Sequence, residues 1–226
     1  MRIQIQVLCC VLVLVMSAPI MAAEGKFGGT LLGGWAFPTA SDPLDGRDGY
    51  PGPSSSSFDS TWTLGSEAFF RPTQAFSLGL GVQYWKMVAS AARSGGSVDE
   101  FISMETIPVY ALVRYLRPVE KGLSWHAEAG LGYAFNNGGR ESGLDAMSAG
   151  MGQSTDPDID NGICGFLGVG VDYFFNPRLN LGLSLRHWWL EADYDLTASN
   201  SGTIEKGVIN ANNLQVFFGL TYWFGK

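Results

Sequence analysis

Between residues 27 and 224 the chain repeatedly alternates apolar residues with small or polar ones, and this period of two constrains the fold more than any single motif does. Successive side chains of an extended strand point to opposite faces, so long alternation describes strands with one apolar and one polar face. Eight segments carry the pattern: 27–37, 61–70, 75–88, 101–115, 123–135, 163–175, a seventh beginning at Leu179, and 214–224. In the third, Phe76, Leu78, Leu80, Val82 and Tyr84 alternate with Ser77, Gly79, Gly81 and Gln83. In the fourth, Ile107, Val109, Ala111, Val113 and Tyr115 oppose Thr106, Pro108, Tyr110 and Arg114. Proline cannot donate to a strand ladder, so a bulge or a locally broken bond is expected at Pro108.

The spacing of the segments indicates which face meets which solvent. Three connections are tight (71–74, 117–122 and 176–178), and they alternate with four long ones, 38–60, 89–100, 136–162 and about 191–213. No run of about twenty apolar residues follows the N-terminal region, yet the chain holds 30 glycines and 13% aromatic residues and has a slightly positive mean hydropathy. Membrane-spanning strands produce that balance, with apolar residues toward lipid and small or polar ones toward a lumen. Threading the segments up and down gathers Phe27, Phe70, Phe76, Tyr115, Trp125, Tyr173, Phe175, Tyr222 and Phe224 at the tight-turn end. Trp35, Phe37, Trp62, Tyr84, Phe101, Tyr133, Phe135, Trp188 and Trp189 fall at the other. Two aromatic belts are what two membrane interfaces select. The expected fold is all-β: an eight-stranded, antiparallel, up-and-down transmembrane β-barrel.

The N-terminus reads as an export signal. Arg2 precedes an apolar stretch over 3–16 and small residues ending at Ala22 and Ala23, so residues 1–23 are expected to be cleaved and 24–226 to form the barrel domain. Cleavage removes Cys9 and Cys10 and leaves Cys164, which excludes an internal disulfide or a thiolate zinc cluster and makes Cys164 a small buried side chain. A formal net charge of −7 makes the chain a poor partner for nucleic acid.

The chain resembles the small outer-membrane barrels of the OmpA-transmembrane-domain and OmpX type, grouped as outer membrane protein beta-barrel domains. The likeness rests on Ile107-Pro108-Val109-Tyr110, Ala129-Gly130-Leu131-Gly132-Tyr133, Gly170-Val171-Asp172-Tyr173-Phe174 with Asn176-Pro177-Arg178, and the aromatic closing strand. It implies a cell outer-membrane location, contact with membrane lipids and lipopolysaccharide, passage through the barrel-assembly machinery, and a monomer without cofactor. Family members commonly end on an aromatic residue, whereas here Gly225 and Lys226 follow Phe224.

Function is expected in the lumen and the loops, because a lipid face is generic. Inward positions collect Glu67, Tyr110, Arg114, His126, Glu128, Asp172 and Arg186, with Gln83 among them. Charges of both signs in a narrow barrel must pair, and inward glycines leave room for Trp85, Phe166, Phe217 and Trp223. A plugged lumen with a structural or surface-contact role follows; a narrow porin-like path through the same groups is the alternative. A lipid A-modifying enzyme is a remote one: His187 in Arg186-His187-Trp188-Trp189 lacks the serine expected two residues on, so no catalytic residue is assigned. Asp156-Pro157-Asp158-Ile159-Asp160-Asn161-Gly162 has calcium-loop carboxylate spacing, but Asn161 stands where the turn glycine belongs and Leu167 replaces the bidentate acid. It is expected to be a solvated acidic loop without metal, and the serine run at 54–57 a flexible one.

Overall fold

The computed structural model describes residues 26–40, 44–46, 55–93, 96–120, 122–145, 154–199 and 202–224; the expected export signal lies outside them. The described residues form twelve strands: β1 (Lys26–Pro38), β2 (Leu44–Gly46), β3 (Ser55–Phe58), β4 (Thr61–Arg71), β5 (Phe76–Arg93), β6 (Gly96–Glu120), β7 (Leu123–Arg140), β8 (Thr155–Ile159), β9 (Gly162–Asn176), β10 (Leu179–Ala198), β11 (Gly202–Asn210) and β12 (Asn213–Phe224). Every pairing between them is antiparallel. Eight strands pair in a cycle, β1–β4–β5–β6–β7–β9–β10–β12, which returns to β1. Among the described residues four short strands, β2, β3, β8 and β11, are thus added outside the cycle to the expected eight.

Alternation fixes which way the cycle faces. Leu31, Leu80, Leu131, Leu167, Leu183, Phe218 and Leu220 lie on its outside, between 42% and 68% exposed. The residues between them, Thr30, Gly81, Glu128, Arg186 and Phe217 among others, face the inside, where all are buried. Aromatic side chains pair along both rims of the outer face. Phe27 stacks near Phe70 and Phe76 near Tyr115 at one end, and Trp62 near Tyr84 and Tyr133 near Phe135 at the other. Phe101 and Trp188, expected in the second belt, are instead wholly buried: Trp188 shares the inward parity of Ser184 and Arg186, whereas Phe101 lies where both faces of β6 are covered by the upper apolar core.

The tight turns sit at the end where β1 starts and β12 finishes, as the pairing of Phe27 with Phe224 requires. At the opposite end the expected long loops are largely strand. β5 and β6 continue to Arg93 and from Gly96, so 89–93 and 96–100 pair as strand. β10 runs on to Ala198, pairing with β11 and β8, and β2 pairs with β11. The segment expected as an acidic loop thus contributes β8, and the serine run contributes β3, which pairs with β5. The physical reason lies in continued alternation: Leu190, Ala192, Tyr194, Leu196 and Ala198 are buried between Glu191, Asp193, Asp195 and Thr197. Together with Leu44, Phe58, Met87, Ile102, Met104, Leu144, Ile159 and Ile209, the side chains of Leu190, Ala192, Tyr194 and Leu196 form an apolar core above the ring interior. Burying that surface is what orders the segments.

The β5–β6 ladder pairs Val82 with Val109 and resumes at Trp85 with Thr106 in the same register. Pro108 therefore interrupts bonding on this side without a bulge, while it still pairs with Ala134 on the other. Val82 and Ile107 lie beside the interruption and, contrary to the outward positions expected of them, are buried.

Inward glycines sit beside bulky inward partners. A Cβ on Gly81 would lie 2.5 Å from the Tyr110 ring, whereas one on Gly29 would meet nothing within 4 Å. Gly81→Ala is expected to destabilise the protein by about 1 to 3 kcal/mol and Gly29→Ala to be near neutral. Urea unfolding in detergent measures both, and equal effects would contradict the packing.

Candidate functional site

The inside of the ring is organised by short side chains that let long ones meet over them. Gly168 on β9 is the register partner of both Glu128 on β7 and Arg186 on β10. A Cβ there would come within 2.9 Å of Arg186 Cγ and 3.0 Å of Glu128 Oε1, so glycine lets residues two strands apart touch. Gly81 on β5 does the same for Glu67 on β4 and Tyr110 on β6.

Two carboxylates and two guanidiniums join across this space. Arg186 Nε donates to Glu128 Oε1 at 2.6 Å and Nη2 to Glu128 Oε2 at 3.1 Å, a two-pronged contact. The same Nη2 lies 2.6 Å from Glu67 Oε1. Arg114 Nε donates to Glu128 Oε2 at 2.9 Å, and its Nη2 reaches Glu67 Oε2 at 3.3 Å. Tyr110 closes the figure: its hydroxyl donates to Glu67 Oε1 at 2.8 Å and accepts from Arg186 Nη1 at 3.2 Å. Side chains from β4, β6, β7 and β10 are thus tied together in a buried, charge-balanced square. Aromatic rings cover it, with Arg186 over Phe166 and Phe217 at 4.4 and 4.5 Å, and Arg114 over Phe69 at 4.4 Å.

His126 and Asp172 belong to a second layer nearer the tight turns. His126 Nδ1 lies 2.7 Å from Asp172 Oδ2 and Nε2 lies 3.1 Å from Ser184 Oγ, across Gly170, the register partner of both His126 and Ser184. Asn180 Nδ2 donates to Asp172 Oδ1 at 2.9 Å, and Trp223 Nε1 donates to Asn180 Oδ1 at 2.9 Å. Arg71 stacks over Trp223 at 3.8 Å at the mouth of this layer. The seven inward residues singled out from the sequence therefore fall into two groups, five in the square and two in the histidine layer. Ser184, Asn180, Phe69 and Arg71 complete these layers but were not singled out; their inward parity was readable, their partners on other strands were not. Cys164 is buried and free, and His187 stacks on Trp189 at 4.7 Å, away from both layers.

A closed antiparallel ring with an apolar exterior and a charged interior is the inverse of a soluble domain. The outer membrane protein beta-barrel domain model matches residues 8–222. The chain belongs to that family. Solved structures agree on the fold. OprG from Pseudomonas aeruginosa superposes with a TM-score of 0.71 at 15% identity, over 89% of this chain and 97% of that one. AlkL, determined in DMPC lipid bilayers, gives 0.63 at 14% identity over 93% and 96%. A major outer membrane protein from Thermus thermophilus gives 0.58 at 15% identity over 89% and 100%. No curated protein is a significant match to the sequence. At these identities the likeness is one of fold. This outer-membrane barrel then has an outside suited to lipid and an inside whose charges must satisfy one another.

Removing one corner of the square leaves buried charge without a partner. Arg186→Met is expected to destabilise the barrel by about 3 to 5 kcal/mol, with the folded, fast-migrating gel form lost at a lower temperature. An unchanged transition temperature would mean that water reaches the square and screens it.

Proposed function

We propose that the chain is an eight-stranded, up-and-down transmembrane barrel of the outer membrane, exported by a cleaved leader over residues 1–23. In this reading its tight turns face the periplasm and its strand-rich upper end faces outward. Its role is structural or one of surface contact, through the acidic upper end, with a lumen closed to ions. The observation that carries this reading is the buried Arg114, Arg186, Glu67 and Glu128 square, which crosses the interior and is capped by Phe166, Phe217 and Phe69. An eight-stranded interior is just wide enough to be filled by side chains. Lipids and lipopolysaccharide are the proposed surroundings, the barrel-assembly machinery the proposed route, and a monomer the proposed state.

The role is further proposed to be non-enzymatic. Ser184, His126 and Asp172 are connected in the order a hydrolase uses, but β10 is paired on both sides at Ser184. The backbone N–H groups around that serine are spent in the sheet, which argues against a hole for an oxyanion.

Single-molecule conductance in planar bilayers tests the closed lumen. Little steady current is expected, and a stable channel whose ion selectivity shifts in Glu128→Gln would replace this reading with that of a narrow pore. The lipid face is tested by Leu183→Arg, expected to cost about 2 to 4 kcal/mol of folding stability in lipid vesicles; a neutral result would contradict a bilayer-facing position.

A further inference from the structure

Above the charged square the ring interior carries a layer of neutral polar side chains that the closure of the lumen does not use. Gln83 and Trp85 project from β5, and Asn213 and Gln215 from β12, all four wholly buried. The two strands are separated by β1 and β4, whose Gly34 and Gly65 keep the space between them low: a Cβ on Gly65 would lie 3.0 Å from Gln83 Cγ, and one on Gly34 would collide with Phe217. Across that low stretch Gln83 Nε2 donates to Gln215 Oε1 at 2.7 Å, and also to Thr63 Oγ1 at 2.7 Å. Trp188 Nε1 donates to the same Gln215 oxygen at 3.1 Å.

These contacts fix the orientation of both amides. An indole nitrogen is a donor only, so Trp188 requires the oxygen of Gln215 to face it, and that oxygen in turn requires the nitrogen of Gln83. Gln83 Oε1 and Gln215 Nε2 must then point elsewhere. Neither has a hydrogen-bond partner among the described residues, and the same holds for Trp85 Nε1 and Asn213 Oδ1. The four groups belong to one patch: Gln83 bonds Gln215, the Trp85 ring packs on Trp188 with centroids 5.4 Å apart, and Trp188 is the register partner of Asn213.

A buried polar group left unpaired costs roughly 1 to 3 kcal/mol, so four in one patch mark a place built for something that pairs with them. We propose that Gln83, Trp85, Asn213 and Gln215 form an internal binding site for a small uncharged ligand that both donates and accepts hydrogen bonds, either water or a carboxamide. The complement is balanced: two donors, the Trp85 indole and the Gln215 amide, against two acceptors, the oxygens of Gln83 and Asn213. An ion would satisfy one pair and oppose the other, and a hydrocarbon would satisfy neither. This inference stands on interior packing and does not require the lumen to be closed to ions, so a conducting barrel would leave it in place.

The test is nuclear magnetic resonance of the whole isotope-labelled protein in detergent micelles, with the Trp85 indole N–H assigned through its own ring. A rotating-frame cross-peak between that proton and water is expected. Titration with acetamide, with sodium acetate as the charged control, separates the two sources. Loss of the water cross-peak together with shifts of the Trp85 indole and Gln215 amide signals assigns the site to carboxamides, and a water cross-peak unmoved by acetamide assigns it to water. Acetate is expected to leave these signals unchanged. A Trp85 indole with neither a water nor an acetamide contact, or one that responds to acetate as strongly as to acetamide, would overturn the proposal.

Discussion

The seam between β1 and β12 is the contact on which the rest of the structure depends. It joins the first strand of the ring to the last, from Phe27 opposite Phe224 to Pro38 opposite Asn213. Without it both strands would present unpaired backbone groups, which a hydrocarbon surrounding cannot satisfy. The seam also sets the register. Because side chains alternate strictly, a slip of one residue would turn Leu31 and Leu220 inward and Thr30 and Thr221 outward. In the observed register the two threonine hydroxyls meet inside the ring at 2.7 Å.

Given that closure, the interior is layered. A histidine layer near the tight turns, the four-charge square, an aromatic layer of Tyr110, Phe166 and Phe217, and the amide layer of Gln83 and Gln215 follow one another toward the apolar upper core. Glycines act as the spacers between them: Gly168 lets Glu128 meet Arg186, and Gly170 lets His126 meet Ser184. The charged layer is balanced within itself, which is the condition for keeping ions away from bulk water at tolerable cost.

Much of this was legible in the sequence, and the part that was not has a physical cause. Alternation gave away the inward and outward faces over most of the ring, because one-strand parity is a local property; Leu78, Leu80, Leu131 and Leu183 could be read from their own neighbours. The pairing of Gln83 with Gln215 or His126 with Ser184 depends on how strands separated by dozens of residues stagger past one another, which no local pattern encodes. The segments of β8, β11, β2 and β3 carry a loop signal in the sequence because Asp156, Pro157, Asp158 and the serines of 54–57 favour turns in isolation. Each of these short strands forms against a neighbour, β8 against the upper half of β10 and β3 against β5. Phe101 and Trp188 show the limit of composition: aromatics near strand ends suggest an interface, but inward parity buries Trp188 and the upper apolar core covers Phe101.

The closing seam is also where the account is most directly exposed to measurement. Nuclear Overhauser contacts between backbone protons of β1 and β12, in the folded protein in detergent or lipid, report it residue by residue. The structure predicts cross-strand contacts linking Thr30 with Thr221 and Gly34 with Phe217, and slow amide exchange along both strands. Missing contacts with rapid exchange in β1, or contacts displaced by one residue, would contradict the closed ring and with it the arrangement of everything inside.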